Sequence, residues 1–159
     1  MKYSLDMVQW RICDTQQDIY KIAALSQYDM KAFSDAYLSS VFCERQMDSS
    51  YSRYQFSYGE ECMDFITPEI GEFKSQEYVK NDKMFSMDVA EWIGWTYRQI
   101  QIITKIPSKK LKDYLSFDEL CRYYPGMHTI LEDYAAEDMI RNMVKKHALP
   151  LDVTPEDEE

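Results

Sequence analysis

Apolar residues return at three- and four-residue steps over most of the chain, the spacing that lines up one face of an α-helix. Over residues 5–25 the pattern runs through Leu5, Val8, Ile12, Ile19, Ile22 and Ala23, with Trp10 and Tyr20 among them. Asp29 is placed to cap a second helix, in which Met30, Phe33, Ala36, Tyr37, Val41 and Phe42 recur. A third is predicted to start near Ser49 or Ser50, with Tyr51, Tyr54, Tyr58, Cys62 and Phe65 in one stripe and Gly59 as an interruption. Residues 67–86 lose the periodicity and contain Pro68, Gly71 and mixed charge, the composition of a linker.

Ser86, with Asp88 in the first turn, opens a central helix predicted to run to about residue 105. Val89, Trp92, Ile93, Tyr97, Ile100 and Ile103 share one of its faces, whereas Trp95 and Ile102 lie on another. A helix apolar on more than one face packs against several neighbours. Pro107 stops it, and Ser108 is placed to cap a short helix to residue 115. Capping boxes follow at Ser116 to Glu119 and at Thr129 to Glu132, separated by a Pro-Gly turn in "YYPGMH". A last helix over 130–147 turns Ile130, Tyr134, Met139, Ile140 and Met143 inward and ends in Lys145 and Lys146, which suit its negative dipole end.

With four glycines, five prolines and little strict alternation, the fold class is all-α, a compact bundle of about six or seven helices. The length of 159 residues allows either one domain or two packed helical lobes. The predicted organisation is a leading half at 1–66, a linker or long loop at 67–86, a trailing half at 87–149 and a disordered acidic tail at 150–159.

Charge adds a constraint. The formal net charge is −10, and five of the acids are Asp152, Glu156, Asp157, Glu158 and Glu159, in a final decapeptide without a base. Such a tail solvates itself, or covers a basic partner surface. The overall sign repels polyphosphate and disfavours nonspecific nucleic-acid binding. The four cysteines, Cys13, Cys43, Cys62 and Cys121, have neither zinc-site nor disulfide-framework spacing, which predicts reduced thiols in a cytoplasmic setting. No run of 18 apolar residues and no apolar signal core occurs, so no membrane span is expected.

The residues carry no catalytic signature. His128 falls in a turn and His147 at a helix end, no phosphate-cradling glycine loop or nucleophile elbow is present, and adjacent acid pairs such as Glu60/Glu61 diverge on a helix. The expectation is a non-enzymatic protein with no cofactor and no metal. Two binding modes fit the remaining features. The segment from Arg98 to Leu120 has the outline of a helix-turn-helix, with Lys109, Lys110 and Lys112 available to phosphates, although its second helix is short and poor in base-reading side chains. Alternatively, Trp95, Tyr97 and Arg98 form one protein-binding cluster, and Tyr51, Arg53, Tyr54 and Tyr58 another, since these residue types concentrate interface energy.

The stretches "WIGWTYRQIQIITKIPSKKL" and "YYPGMHTILEDYAAEDMI", with the earlier pieces "YDMKAFSDAYLSSVFC" and "YQFSYGEECMDFITPEI", resemble all-helical bacterial proteins encoded in toxin–antitoxin-type or mobile-element loci. The resemblance covers most of residues 20–145. It implies an antitoxin or similar accessory role and transfers no site residue. The leading expectation is therefore an antitoxin-like neutraliser that binds a protein with a basic surface. Its rivals are a mobile-element inhibitor of a nuclease effector acting by acidic nucleic-acid mimicry, anti-CRISPR-like, and a helix-turn-helix transcriptional regulator.

Overall fold

The computed structural model describes residues 3–74 and 86–153. Within them the chain is all-α: seven α-helices, one π-helical turn and one 3-10 turn, with a single isolated bridge between Tyr28 and Lys74. In order they are α1 (Met7–Leu25), α2 (Met30–Leu38), the π turn (Cys43–Met47), the 3-10 turn (Arg53–Phe56), α3 (Gly59–Ile70), α4 (Met87–Thr104), α5 (Ser108–Tyr114), α6 (Phe117–Met127) and α7 (Glu132–His147).

The best-defined helix starts are local. The Asp6 carboxylate accepts from Gln9 N at 2.8 Å while Gln9 Oε1 accepts from Asp6 N at 3.0 Å, which satisfies two otherwise orphaned donors of α1. Asp29 accepts from Ala32 N at 3.1 Å, and Ser116 and Glu119 close a full capping box on α6.

Several predicted boundaries move. The second helix stops at Leu38 because Ser40 Oγ donates to Tyr37 O at 2.6 Å and accepts from Cys43 N, drawing the chain into the π turn. The freed amides of Val41 and Phe42 are both taken by the Glu69 carboxylate of α3, at 2.7 and 3.0 Å. The third helix is split by extended Ser57 and Tyr58, so its tyrosines do not share a stripe. Gly59 opens α3 instead of interrupting it: its N–H donates to Asp18 Oδ2 at 2.7 Å, and a Cβ there would sit 2.7 Å from both that oxygen and Ile22 Cδ1.

The predicted linker begins later than the pattern implied, since α3 continues through Pro68 to Ile70 and Phe73 packs on Tyr28 and Phe33. Its residues 75–85 lie outside the described residues. Pro125 and Gly126 do not form a turn; α6 runs through them. Tyr124 O accepts both the His128 backbone N–H at 3.1 Å and its ring Nδ1 at 2.6 Å, which holds the last turn despite the donor missing at proline. Leu131, not Thr129, occupies the N-cap of α7, and Ile130 and Tyr134 face outward. The predicted tail starts within the fold: Leu149, Leu151 and Val153 pack on the core, Asp152 is exposed, and Glu156, Asp157, Glu158 and Glu159 lie outside the described residues.

The core is one cluster drawn from both sides of residues 75–85. Its centre is the α1–α4 pair. Gly94 lets the two helices approach until a Cβ would meet Tyr20 Cγ at 2.7 Å and Gln16 O at 2.9 Å. Tyr20, Phe33 and Tyr37 meet with ring centroids 5.7–5.9 Å apart, contacts worth about 0.5–1.5 kcal/mol each beyond burial. No described helix is long and apolar enough to cross a membrane.

Candidate functional site

A dense polar cluster lies inside the fold. Arg98 on α4 is fully buried, and all five of its N–H donors have partners. Nε and Nη2 donate to Gln16 Oε1 at 3.0 and 2.7 Å, and Nη1 donates to Asp48 Oδ1 at 2.6 Å and Gln101 Oε1 at 2.8 Å. Nη2 also reaches Cys43 Sγ and Ser108 Oγ. Asp48 is held from a second side by Ser108 N and Oγ, at 2.9 and 2.6 Å. Burial opposes the charge on Arg98, but the Asp48 carboxylate at 2.6 Å outweighs it and the guanidinium stays protonated. One side chain thus ties α1, α4, α5 and the π turn together. It is a structural hub with no donor left for a partner.

This placement divides the first predicted binding cluster. Arg98 and Tyr97 are enclosed, with Tyr97 OH donating to Leu115 O at 2.8 Å, whereas Trp95, whose Nε1 donates to Asp14 Oδ1 at 3.1 Å, keeps one edge on a cleft beside α1. The sequence pattern marked a helix apolar all round but not which of its polar groups would be enclosed. The second cluster divides. Tyr54 packs between Phe42 and Phe65 with Arg53 stacked 5.0 Å above its ring, whereas Tyr51 and Tyr58 are 92% and 73% exposed. Lys109 and Lys110 project outward from α5, with Lys109 Nζ 4.0 Å from Glu44 and Lys112 Nζ 3.3 Å from Asp113. Two of the three lysines therefore have a carboxylate beside them.

What the structure presents to solvent is this cleft, which joins Trp95, a candidate contact residue, to Trp10 and Trp92, which the periodicity placed on the apolar faces of their helices. A cavity of about 260 Å³ opens between α1, α4 and the start of α7, walled by Trp10, Trp92 and Trp95 and floored by Ala135 and Met139. Trp10 and Trp95 meet edge to face at 4.9 Å, and Trp92 meets Tyr124 at 5.6 Å. Tyr124 in turn stacks on His128 at 4.2 Å. Gln99 Nε2 donates to Glu132 O at 2.7 Å, fixing the entrance of α7 against α4. Asp14, His128 and Glu132 are the titratable groups of the lining.

Beside the cleft, Trp10 continues into a shallow apolar depression with Met7, Val8 and Phe56. Met7 is 90% exposed and Trp10 39%. On the other flank, Arg11, Asp18, Lys21, Tyr58 and Glu91 line a polar concavity that shares Asp14. The signal for this surface was present in α1: Met7, Trp10, Asp14 and Gln17 fall on one face, separate from Ile12, Ile19 and Ala23. Met7 and Trp10 on the face that also carries Asp14 and Gln17, opposite the stripe of Ile12, Ile19 and Ala23, were the mark of a second, partly exposed surface.

The thiols offer no reactive site. Cys13, Cys43 and Cys62 are buried and burial pushes their pKa values up, to about 12 for Cys62. Among the described residues no group of three or more His, Cys, Asp or Glu side chains is arranged to hold a metal ion. Comparison with known protein families, curated proteins and solved structures yields no match.

Proposed function

We propose that this chain is a non-enzymatic protein-binding module that docks a basic partner on the tryptophan cleft and the apolar strip beside it, acting as an antitoxin-like neutraliser in the cytoplasm. The observation that carries this reading is the contiguity of Met7, Val8, Trp10 and Phe56, all exposed, with a cleft walled by two further tryptophans. Contiguous exposed apolar surface with a polar border marks an interaction site, and tryptophan is the residue type most enriched among binding hot spots. The formal charge of −10 and the flanking Asp14, Asp18, Glu91 and Glu132 suit a basic partner, for which complementary charge accelerates association. The four free cysteines are compatible with a reducing compartment.

The test is co-expression with the product of the neighbouring reading frame in the host locus. That product is expected to arrest growth alone, to bind this chain, and to be released by Trp10→Ala with Met7→Ser. Loss of a hot-spot anchor costs at least about 2 kcal/mol, roughly thirtyfold in Kd. A neighbouring product that is harmless alone and does not bind removes the neutraliser reading. Binding that survives the double substitution moves the interface elsewhere.

A further inference from the structure

Building on that docking reading, we infer that the three-tryptophan cleft is an arginine pocket: it takes one guanidinium side chain of the partner, set against the indoles and held by Asp14 and Glu132. Size comes first. At about 260 Å³ the cavity falls just below the range of sites that enclose drug-sized ligands, and matches a single long side chain.

The lining then selects charge. Trp10, Trp92 and Trp95 supply the ring type that attracts cations most strongly. No lysine or arginine lines the cleft, so nothing there competes with an incoming cation. Its donors are largely engaged at home, Gln17 Nε2 on Glu91 at 3.2 Å, Gln99 Nε2 on Glu132 O and Trp95 Nε1 on Asp14 Oδ1. Its acceptors are not. Asp14 Oδ2 and both Glu132 carboxylate oxygens accept no hydrogen bond from the described residues, and Glu132 is half-buried. His128 commits Nδ1 to Tyr124 O at 2.6 Å, so that nitrogen offers the cleft no donor either.

A cleft of indole rings and free acceptors penalises an apolar anchor, which would desolvate the carboxylates without replacing their hydrogen bonds. A cation compensates both. Guanidinium fits better than ammonium because it is flat, weakly hydrated and stacks on aromatic faces while its edge donates to carboxylates.

The experiment needs no identified partner. The whole chain, 15N-labelled, is titrated at low salt with Nα-acetyl-argininamide, with the lysine analogue and with Nα-acetyl-citrullinamide, the uncharged isostere, while the three tryptophan indole N–H resonances are followed. Trp10→Phe and Trp92→Phe assign the signals. The arginine probe is expected to shift them saturably, and the citrulline and lysine probes to bind roughly tenfold more weakly or less. Asp14→Asn with Glu132→Gln, which preserves an oxygen for Trp95 Nε1, is expected to weaken the arginine probe about tenfold with an unchanged circular dichroism spectrum.

Equal affinity for citrulline, no response to arginine, or an unaffected double variant overturns the assignment to a cation. Equal affinity for lysine overturns the assignment to arginine. A chain that ignores the arginine probe yet loses its partner on Trp10→Ala with Met7→Ser forfeits this inference and keeps the docking reading. A chain that binds the arginine probe yet keeps its partner on that double substitution retains a guanidinium pocket but loses the partner as its occupant, which overturns the inference as stated and the docking reading with it.

Discussion

Replacing Arg98 by methionine keeps most of the aliphatic stem and deletes five donors from the centre of the fold. The acceptors do not suffer equally. Gln16 Oε1 retains Tyr37 OH at 2.9 Å, and Asp48 retains Ser108 N and Oγ, but Gln101 Oε1 loses its charged donor and Asp48 keeps a negative charge with only 13% of its side chain exposed. Removing one member of a buried ion pair costs about 3–5 kcal/mol, because the other is left uncompensated. For a domain of this size that is a fall of roughly 6–20 °C in Tm.

Asp48→Asn strands the opposite charge, on a group with no exposure at all, and is expected to cost a similar amount. The double variant removes both charges while the asparagine oxygen still accepts from Ser108 N and its amide group donates to Ser108 Oγ. It should recover part of the loss, with a coupling energy of about 2 kcal/mol in the double-mutant cycle. Urea unfolding followed by circular dichroism and tryptophan fluorescence provides the free energies. A cost below about 1 kcal/mol for Arg98→Met, or additive single effects, would refute the assignment of Arg98 as the hub.

Two further predictions use the same unfolding assay. Gly94→Ala drives a methyl into Tyr20 Cγ and the Gln16 carbonyl, neither the free end of a flexible chain, and should cost about 1–3 kcal/mol; Gly126→Ala, with nothing within 4 Å, should instead stabilise by about 0.5–1 kcal/mol, and the opposite order would sink the close-approach argument. The buried thiols predict alkaline sensitivity. Desolvation holds Cys13 and Cys43 protonated in the native state above the unfolded thiol pKa of about 8.5, so above that pH the unfolded chain binds fewer protons and stability falls by about 1.4 kcal/mol per pH unit for each. Buried Tyr20, Tyr37 and Tyr97 extend the fall above about pH 10. A urea midpoint that is level from pH 7.5 to 9.5 contradicts this, as would native-state labelling of Cys13, Cys43 or Cys62 as fast as the partly exposed Cys121.

Helical content and several helix starts were legible from short-range chemistry alone. Asp6, Asp29 and Ser116 each bond a backbone donor three residues on, so the geometry closes within one turn whatever the rest of the chain does. The all-α class follows from apolar spacing in the same way, since the period of 3.6 is a property of neighbouring residues. The course of the chain beyond α2 and the start of α3 were not legible. Ser40 closes α2 locally on Tyr37, but the freed amides of residues 41 and 42 are taken by Glu69, and Gly59 is capped by Asp18, bonds between groups 27 to 41 positions apart.

The candidate site divides along the same line. Trp10, Trp92 and Arg98 could each be recognised as notable side chains, but an amphipathic pattern states only that a face is apolar, not whether another helix arrives to cover it. Helix α4 meets α1 through Gly94, which encloses Arg98 and its acceptors; α7 enters at an angle set by Gln99 and Glu132, which leaves the tryptophan cleft open. Spacing along the chain therefore wrote the helices, whereas exposure, charge pairing and the cleft arose from contacts between helices, whose free energy depends on partners that local periodicity does not encode.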